Sequence, residues 1–223
     1  MDDRTGLKGR WWIVNADNKI IRVIMKQFAV FPILTFILLI ATNQSTMANI
    51  FTQKTETPQY RVVRKLDKVE IREYPDLIVA STKMGDSYSG NSGRGFSTVA
   101  GYIFGGNEKS EKISMTSPVV VDMADTMKMS FIMPSEYEME DLPSPSNPKV
   151  ELQRQSSRLL AVISFGGWAN DKKLAEYREM LKAELEKHKI KPKGHYMFLG
   201  YNPPYRMINR RNEVAVEIEI PED

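Results

Sequence analysis

An α+β fold, with a strongly curved antiparallel sheet of about eight strands and two helices in pseudo-twofold arrangement, is predicted by three features of the sequence. Apolar residues alternate with polar ones in several short segments, the period of half-buried strands. Two stretches, Lys68 to Lys83 and Lys149 to Ser164, align without gaps at a spacing of 81 residues. Each is followed by a segment with helical periodicity and then by two further extended segments.

The elements follow in chain order. Asn49 to Pro58 is polar and reads as a flexible lead-in. KVEIREYPDLIVASTK and its counterpart KVELQRQSSRLLAVIS each read as strand, turn and strand, sharing Lys-Val-Glu and an apolar run that contains Ala80 or Ala161. GDSYSG (Gly85 to Gly90) reads as a polar loop. The first helix, about Gly95 to Phe104, is built from poor helix formers such as Gly95, Ser97, Thr98, Val99 and Gly101, so packing or a ligand must hold it. Its apolar stripe is Phe96, Val99, Ala100 and Ile103, and Gly105-Gly106 ends it. Extended segments Ile113 to Met123 and Met127 to Met133 come next. A connector stiffened by three prolines, LPSPSNP (Leu142 to Pro148), joins the halves. The second helix, Asp171 to His188, carries Leu174, Tyr177, Leu181 and Leu185 on one face, with Asn170 or Asp171 as N-cap. Tyr196 to Tyr201 and Glu213 to Ile220 complete the set. In the last, Val214, Val216, Ile218 and Ile220 form an apolar face and Ala215, Glu217 and Glu219 a wet one.

The net charge of +3 belongs to the leader. Residues 1–48 hold six basic and three acidic residues, which leaves 25 of each sign in the remaining 175 residues. A neutral body offers no electrostatic case for nucleic acid. The body suits one domain. Phe28 to Ala41 is an apolar run of 14 residues, short of the ~20 that a spanning helix needs, and Thr46-Met47-Ala48 presents a cleavage site. Residues 25–48 are therefore read as a signal peptide cut after Ala48, with residues 1–24 an upstream extension and Met25 the start, and the protein as exported. The alternative is an uncleaved membrane anchor through residues 28–41.

Catalytic constellations are not evident. With no cysteine, the chain has no disulfide, no thiolate ligand and no C-x-x-C-H site. His188 and His195 lack metal-ligand spacing. Gly105-Gly106 follows a helix and so presents carbonyls, where phosphate sites use amides of a helix start. Glu70 and Glu73 point to opposite faces of one strand. Six methionines between Met115 and Met139 suit core filling or an adaptable pocket wall.

EIREYP (Glu70 to Pro75), GFSTVAGYIFGGNEKSEKISMTSPV (Gly95 to Val119), MSFIMP (Met129 to Pro134), FGGW (Phe165 to Trp168), GYNPP (Gly200 to Pro204) and RRNEV (Arg210 to Val214) together resemble the SOUL haem-binding family, in family order, from about Pro58 to Ile220. The resemblance implies a distorted barrel with two helices and noncatalytic binding of haem or a related tetrapyrrole in an apolar cleft beside the first helix. Carried over by position, Phe96, Val99, Ala100 and Ile103 form the apolar wall, and Arg94 and Arg206 are the cations for the propionates. Basic positions of relatives fall at Gly93 and Gly101 here, and a proposed axial histidine falls at Glu73, so the iron ligand is left open. Arg210, Arg211, Asn212 and Glu213 are read as structural. The architecture also resembles bacterial effector-binding domains of the GyrI-like type, which makes a pocket for another planar apolar small molecule the alternative.

Overall fold

The computed structural model describes residues 55–203 and 206–219; the leader segments 1–24 and 25–48 and their cleavage site lie outside them. Nine strands form one antiparallel sheet: β1 Arg61–Lys65, β2 Val69–Tyr74, β3 Leu77–Gly85, β4 Val119–Asp122, β5 Met127–Ile132, β6 Glu151–Gln155, β7 Arg158–Phe165, β8 Pro192–Gly200 and β9 Asn212–Ile218. Two helices, α1 (Tyr88–Ile103) and α2 (Asp171–Lys187), follow β3 and β7. The sequence reading missed β1, whose five residues are all exposed and carry no alternation.

Chain connectivity forces the sheet to curl. The strand order is β1-β2-β7-β9-β8-β4-β5-β3-β6, so β2 and β3 lie six places apart although only Pro75 and Asp76 join them. In a flat sheet six spacings of ~4.8 Å would separate them by roughly 29 Å, whereas three Cα steps of ~3.8 Å reach only about 11 Å. β6 and β7 are likewise six places apart and joined by two residues. The two turns meet, the Ser157 amide donating to Asp76 Oδ1 at 2.6 Å. The curled sheet stops short of a closed barrel, with β1 and β6 as its edges.

The strand pairing itself has a regularity. Exchanging β2 to β5 with β6 to β9 turns the order from β2 to β6 into its own reverse. The interval of 81 relates Val119 paired with Phe131 to Gly200 paired with Asn212. The β7 to β9 register departs from that of β3 to β5 by four residues: Ala80 pairs with Phe131, but Ala161 with Val216 rather than Asn212.

Curling also corrects the reading of β9. Val214, Val216 and Ile218 pack under the helices as expected. The opposite face is wet only toward its end: Glu213 and Ala215 are fully buried, whereas Glu217 stays partly exposed and Glu219 exposed. That inner face carries a second core, Tyr74, Val79, Val120, Ile132, Leu160, Val162, Met197, Leu199 and Ala215. A sheet bent on itself removes its concave face from water without any covering helix.

α2 begins and ends as the sequence indicates. Asn170 Oδ1 accepts from the Lys173 amide, Leu174, Leu181 and Leu185 are buried, and Tyr177 stacks on Phe165. α1 begins seven residues earlier than expected and takes in half of the segment read as a polar loop, Tyr88 to Gly90. Ser87 is its N-cap, accepting from the Gly90 amide. Asp171, at the first position of α2, accepts from the amides of Tyr88 (2.9 Å) and Ser89 (3.2 Å), and its own amide donates to Ser89 Oγ. A carboxylate from a distant helix thus stabilises a start that local propensity would not. At the other end Gly105 adopts φ +106°, and the Gly106 amide closes onto the Gly101 carbonyl at 2.8 Å. Residues 55–57 are fastened rather than free: Ser117 donates its amide to the Glu56 carbonyl, and Glu56 Oε1 accepts from the Ser135 amide.

A pH dependence follows from the cap. The Ser89 hydroxyl, with the Ser89 and Tyr88 amides, holds the Asp171 carboxyl below the ordinary aspartate value against the opposing effect of burial. A depressed folded-state pKa contributes stability above the unfolded value, near 3.9, that is lost as pH falls through the folded value. Asp171→Asn is expected to flatten the acid limb of unfolding free energy below about pH 4, measured by urea denaturation across pH. An unchanged limb would remove the carboxylate from the cap.

Candidate functional site

A cleft of about 440 Å³ opens beside α1, between that helix, the end of β3 and the start of β6. Lys83 and Met84 reach it from β3, Arg94, Gly95 and Thr98 from α1, and Pro148 and Lys149 from the end of the connector. The connector is held in place by α1: the buried Tyr102 hydroxyl donates to the Pro143 carbonyl at 3.0 Å, and the Ser146 amide donates to the Gly106 carbonyl. Three of the lining side chains are cations, and Lys83, Arg94 and Lys149 form no ion pair with any other described residue. Glu151 is the acidic residue of the lining, and Lys128 lies 3.6 Å from it. The cleft therefore presents an uncompensated positive field to a ligand.

The structure divides the sequence-selected residues. Val99, Ala100 and Ile103 are packed into the core against the sheet and do not line the cleft. Phe96 is half-buried, its ring 5.1 Å from that of Phe131. The helix spends its single apolar stripe on the sheet, and the cleft receives the next face round, Arg94, Gly95 and Thr98. Arg94 is thus in the lining, but Arg206 is not: it is exposed in the β8 to β9 loop, its Nε donating to the Ile208 carbonyl at 3.3 Å. Gly93 and Gly101 face open space, so side chains there would meet nothing. Glu73 is bound to Arg61 at 2.6 Å on the β1 to β2 hairpin and takes no part in the cleft. Lys83 and Lys149 were missed by the sequence reading, although each stands at an end of the repeated segment.

A second cavity, about 500 Å³, lies beside the β1 to β2 hairpin and has a different character. Its deepest group is Glu213, fully buried, which accepts from Arg72 (2.9 Å), Tyr201 (2.9 Å), Ser164 (3.0 Å) and Arg211 (2.8 Å). Arg72 is buried too and also binds Glu70 at 2.9 Å. Burial drives the Glu213 pKa up, and the Arg72 hydrogen bond with the charges of Arg72 and Arg211 overcomes it, leaving the group below the ordinary glutamate value. Lys65 pairs with Glu70, and Asp67 with Lys187. Of the charges lining this cavity, Lys68 alone forms no ion pair with a described residue, and the others tie the strands together. The structural role expected for the RRNEV segment is what the Arg211 and Glu213 contacts show.

Among the described residues no three of His, Asp and Glu converge as a metal site. His188 binds Glu184 on α2, and His195 lies 3.4 Å from Asp122 on the inner face.

The sequence matches the family described as SOUL heme-binding protein over residues 55–217, nearly the whole described domain. The chain belongs to the SOUL family. Heme-binding protein 2 of Homo sapiens is 31% identical over 177 residues, covering 73% of this chain and 85% of the relative. Heme-binding protein 1 of Xenopus laevis is 29% identical over 154 residues, covering 65% and 80%. The C-terminal domain of EcmrR shares the fold, with a TM-score of 0.52 at 9% identity, covering 70% of this chain and 99% of that one. The family is described as heme-binding, and with no cysteine in the sequence a haem here is a noncovalent one.

The cleft fits part of such a group. Its volume falls in the range of ~300–1,000 Å³ usual for small-molecule sites. Lys83, Arg94 and Lys149 suit the carboxylate edge of the macrocycle, and Met84, Pro148 and the stems of the long cations offer apolar contact to its ring. The opening is wide, so one face of a ring would remain in contact with water.

Proposed function

We propose that this SOUL protein is a noncatalytic, exported carrier or buffer of haem or a related tetrapyrrole, held in the cleft between α1, β3 and β6. The observation that carries the reading is the group of three unpaired cations, Lys83, Arg94 and Lys149, around the partly apolar cleft beside the helix. Family membership supplies the ligand class, and the leader of residues 25–48 supports export. At a neutral body surface this local excess of positive charge is unusual enough to call for an anionic ligand. The iron supplies ligand-exchange and redox chemistry when bound. The chain's own residues orient the ring, neutralise its carboxylates and shield one face.

Haemin titration in the Soret band, with albumin as competitor, is expected to give saturable one-to-one binding. Charge reversal of Lys83, Arg94 or Lys149 is expected to weaken haemin by about 1.4-fold to fivefold each, the range for solvent-open charge contacts of roughly 0.2 to 1 kcal/mol. The esterified porphyrin should be nearly indifferent to the same changes. Equal weakening of both ligands would sink the propionate assignment. Saturable binding of unrelated planar aromatics with no preference for haemin would favour instead a general pocket for planar apolar molecules, the alternative that the shared fold leaves open.

A further inference from the structure

We infer that the end of the molecule carrying Trp168, Met207 and Ile208 docks on an anionic lipid surface.

Two loops meet at that end. Phe165 closes β7 and pairs with Asn212, the first residue of β9, which also pairs with Gly200 at the close of β8. The segment from Gly166 to Asn170 and the β8 to β9 loop therefore leave the sheet side by side. Asn212 Nδ2 donates to the Gly167 carbonyl at 2.7 Å and fastens the first loop to the strand. Arg210 joins the second loop to the first. Its guanidinium lies 4.2 Å from the centre of the Trp168 ring and donates to the carbonyls of Asn202, Pro203 and Arg206.

Both loops raise apolar side chains into solvent. Met207 (78% exposed) and Ile208 (75%) are the most exposed large apolar side chains among the described residues, and Trp168 is half exposed. Met207 and Ile208 stand at a loop tip, where Asn209 at φ +51° turns the chain back. Polar and turn-forming residues are the rule at such a tip, so an apolar pair there marks a surface that meets something.

Cations frame the tip. Arg206, Arg210 and Lys173 form no ion pair with any other described residue, and the Lys173 ammonium bonds to the Gly166 carbonyl at 2.7 Å. Asp171, the carboxylate nearest in sequence, is committed to the α1 amides. In a body with equal numbers of each sign, this grouping is complementary to negative charge.

The combination selects a bilayer over a protein. Three side chains bury far less than the ~1,200 Å² of the smaller specific protein interfaces. Entry into a headgroup layer needs no matching contour: tryptophan sits at the interface, methionine and isoleucine reach the acyl chains, and each cation gains from the negative leaflet. An apolar macrocycle dissolves in bilayers, so a carrier docked this way stands where its ligand collects.

The test uses the chain from Asn49 onward, because Thr55–Asp223 is a compact unit by itself and the apolar run of residues 28–41 would bind lipid on its own account. Trp168 is the single tryptophan of that chain, so its emission reports the patch. Vesicles of phosphatidylcholine with about a quarter phosphatidylserine are expected to shift the emission to the blue and to carry the protein in flotation. Phosphatidylcholine alone should do neither, and raising salt from about 0.1 to about 0.5 M should weaken the binding. Met207→Ser with Ile208→Ser should lower partitioning about tenfold or more, and Arg206→Gln about fivefold. Thermal midpoints should stay unchanged, because these side chains are exposed. Haemin affinity, measured without vesicles, should also stay unchanged, so docking and the cleft assignment can fail separately. A folded sample whose emission ignores anionic vesicles would overturn the proposal, as would equal partitioning of wild type and the double Ser variant. A blue shift that grows with protein concentration in the absence of lipid, with doubled mass on gel filtration, would assign the tip to a second copy instead. Loss of haemin from the double Ser variant with vesicle binding untouched would assign it to the ligand.

Discussion

Glu213→Gln is expected to lower unfolding free energy by about 3–5 kcal/mol, the cost of breaking a buried pair and leaving its partner uncompensated. That is a large part of the 5–15 kcal/mol that holds a typical domain together. The carboxylate is fully buried and is the common acceptor for β2, β7, β8 and β9, through Arg72, Ser164 and Tyr201 as well as its own neighbour Arg211. Glu70 still neutralises one side of Arg72, which places the expected value toward the lower end. Glu73→Gln provides the contrast. Its pair with Arg61 is exposed, so the change should cost no more than about 1 kcal/mol. Replacing Arg72 by Met and Glu213 by Leu together should recover more than half of the single-variant loss, because the desolvation of both ions disappears with them. Guanidinium unfolding followed by circular dichroism reads all three. A Glu213→Gln loss below about 1 kcal/mol would mean that water reaches the cluster in solution.

The same cluster shows what a sequence can and cannot disclose. RRNEV and EIREYP stand out as motifs, and paired arginines before a strand are readable as structural. That Arg72 would meet Glu213, 141 residues away, is not, because the meeting depends on the sheet curling through two-residue connections between strands six places apart. The buried part of the inner face of β9 is hidden for the same reason: Ala215 looks wet until the sheet bends over it. α2 was legible because its stripe and cap are local. The start of α1 was not, since its carboxylate comes from Asp171.

The site follows a related logic. A stripe of Phe96, Val99, Ala100 and Ile103 invites a ligand only if nothing else claims it, and the sheet claims it first. What borders that stripe lines the cleft: Arg94, Gly95 and Thr98 on the helix, Lys83 and Met84 at the end of β3. Helical geometry alone could have pointed to Gly95 and Thr98 as the small residues flanking a buried stripe. The bulge of β3 at Met84, where Lys83 pairs with Lys128 and Gly85 with Met127, carried no such signal beyond the glycine that follows it. The open positions at Gly93 and Gly101 show that this chain has the space for the basic side chains of its relatives and lacks the residues. Lys83 and Lys149 provide positive charge from the sheet side instead.

Tyr102 joins core and cleft, and Tyr102→Ala is expected to cost about 3–5 kcal/mol, the range for deleting a large buried aromatic side chain. The ring is 1% exposed, and its hydroxyl, which burial pushes up to a pKa of about 12, donates to Pro143. Around it the connector is sewn to the end of α1 by the Glu108 amide to Ser144 and the Ser146 amide to Gly106. Pro148 and Lys149, which wall the cleft, are carried on that connector, so removing the ring should loosen the wall before the sheet fails. Tyr102→Phe keeps the ring and loses one hydrogen bond, at a cost of about 0.5–1.5 kcal/mol. Amide hydrogen exchange distinguishes the two effects. Tyr102→Ala should accelerate exchange at Glu108 and Ser146 by more than it does at the Val214 and Val216 amides of β9, and haemin should bind more weakly in proportion. Uniform acceleration across connector and sheet would show that the connector opens only with global unfolding, and the wall of the cleft would then be as rigid as the core that supports it.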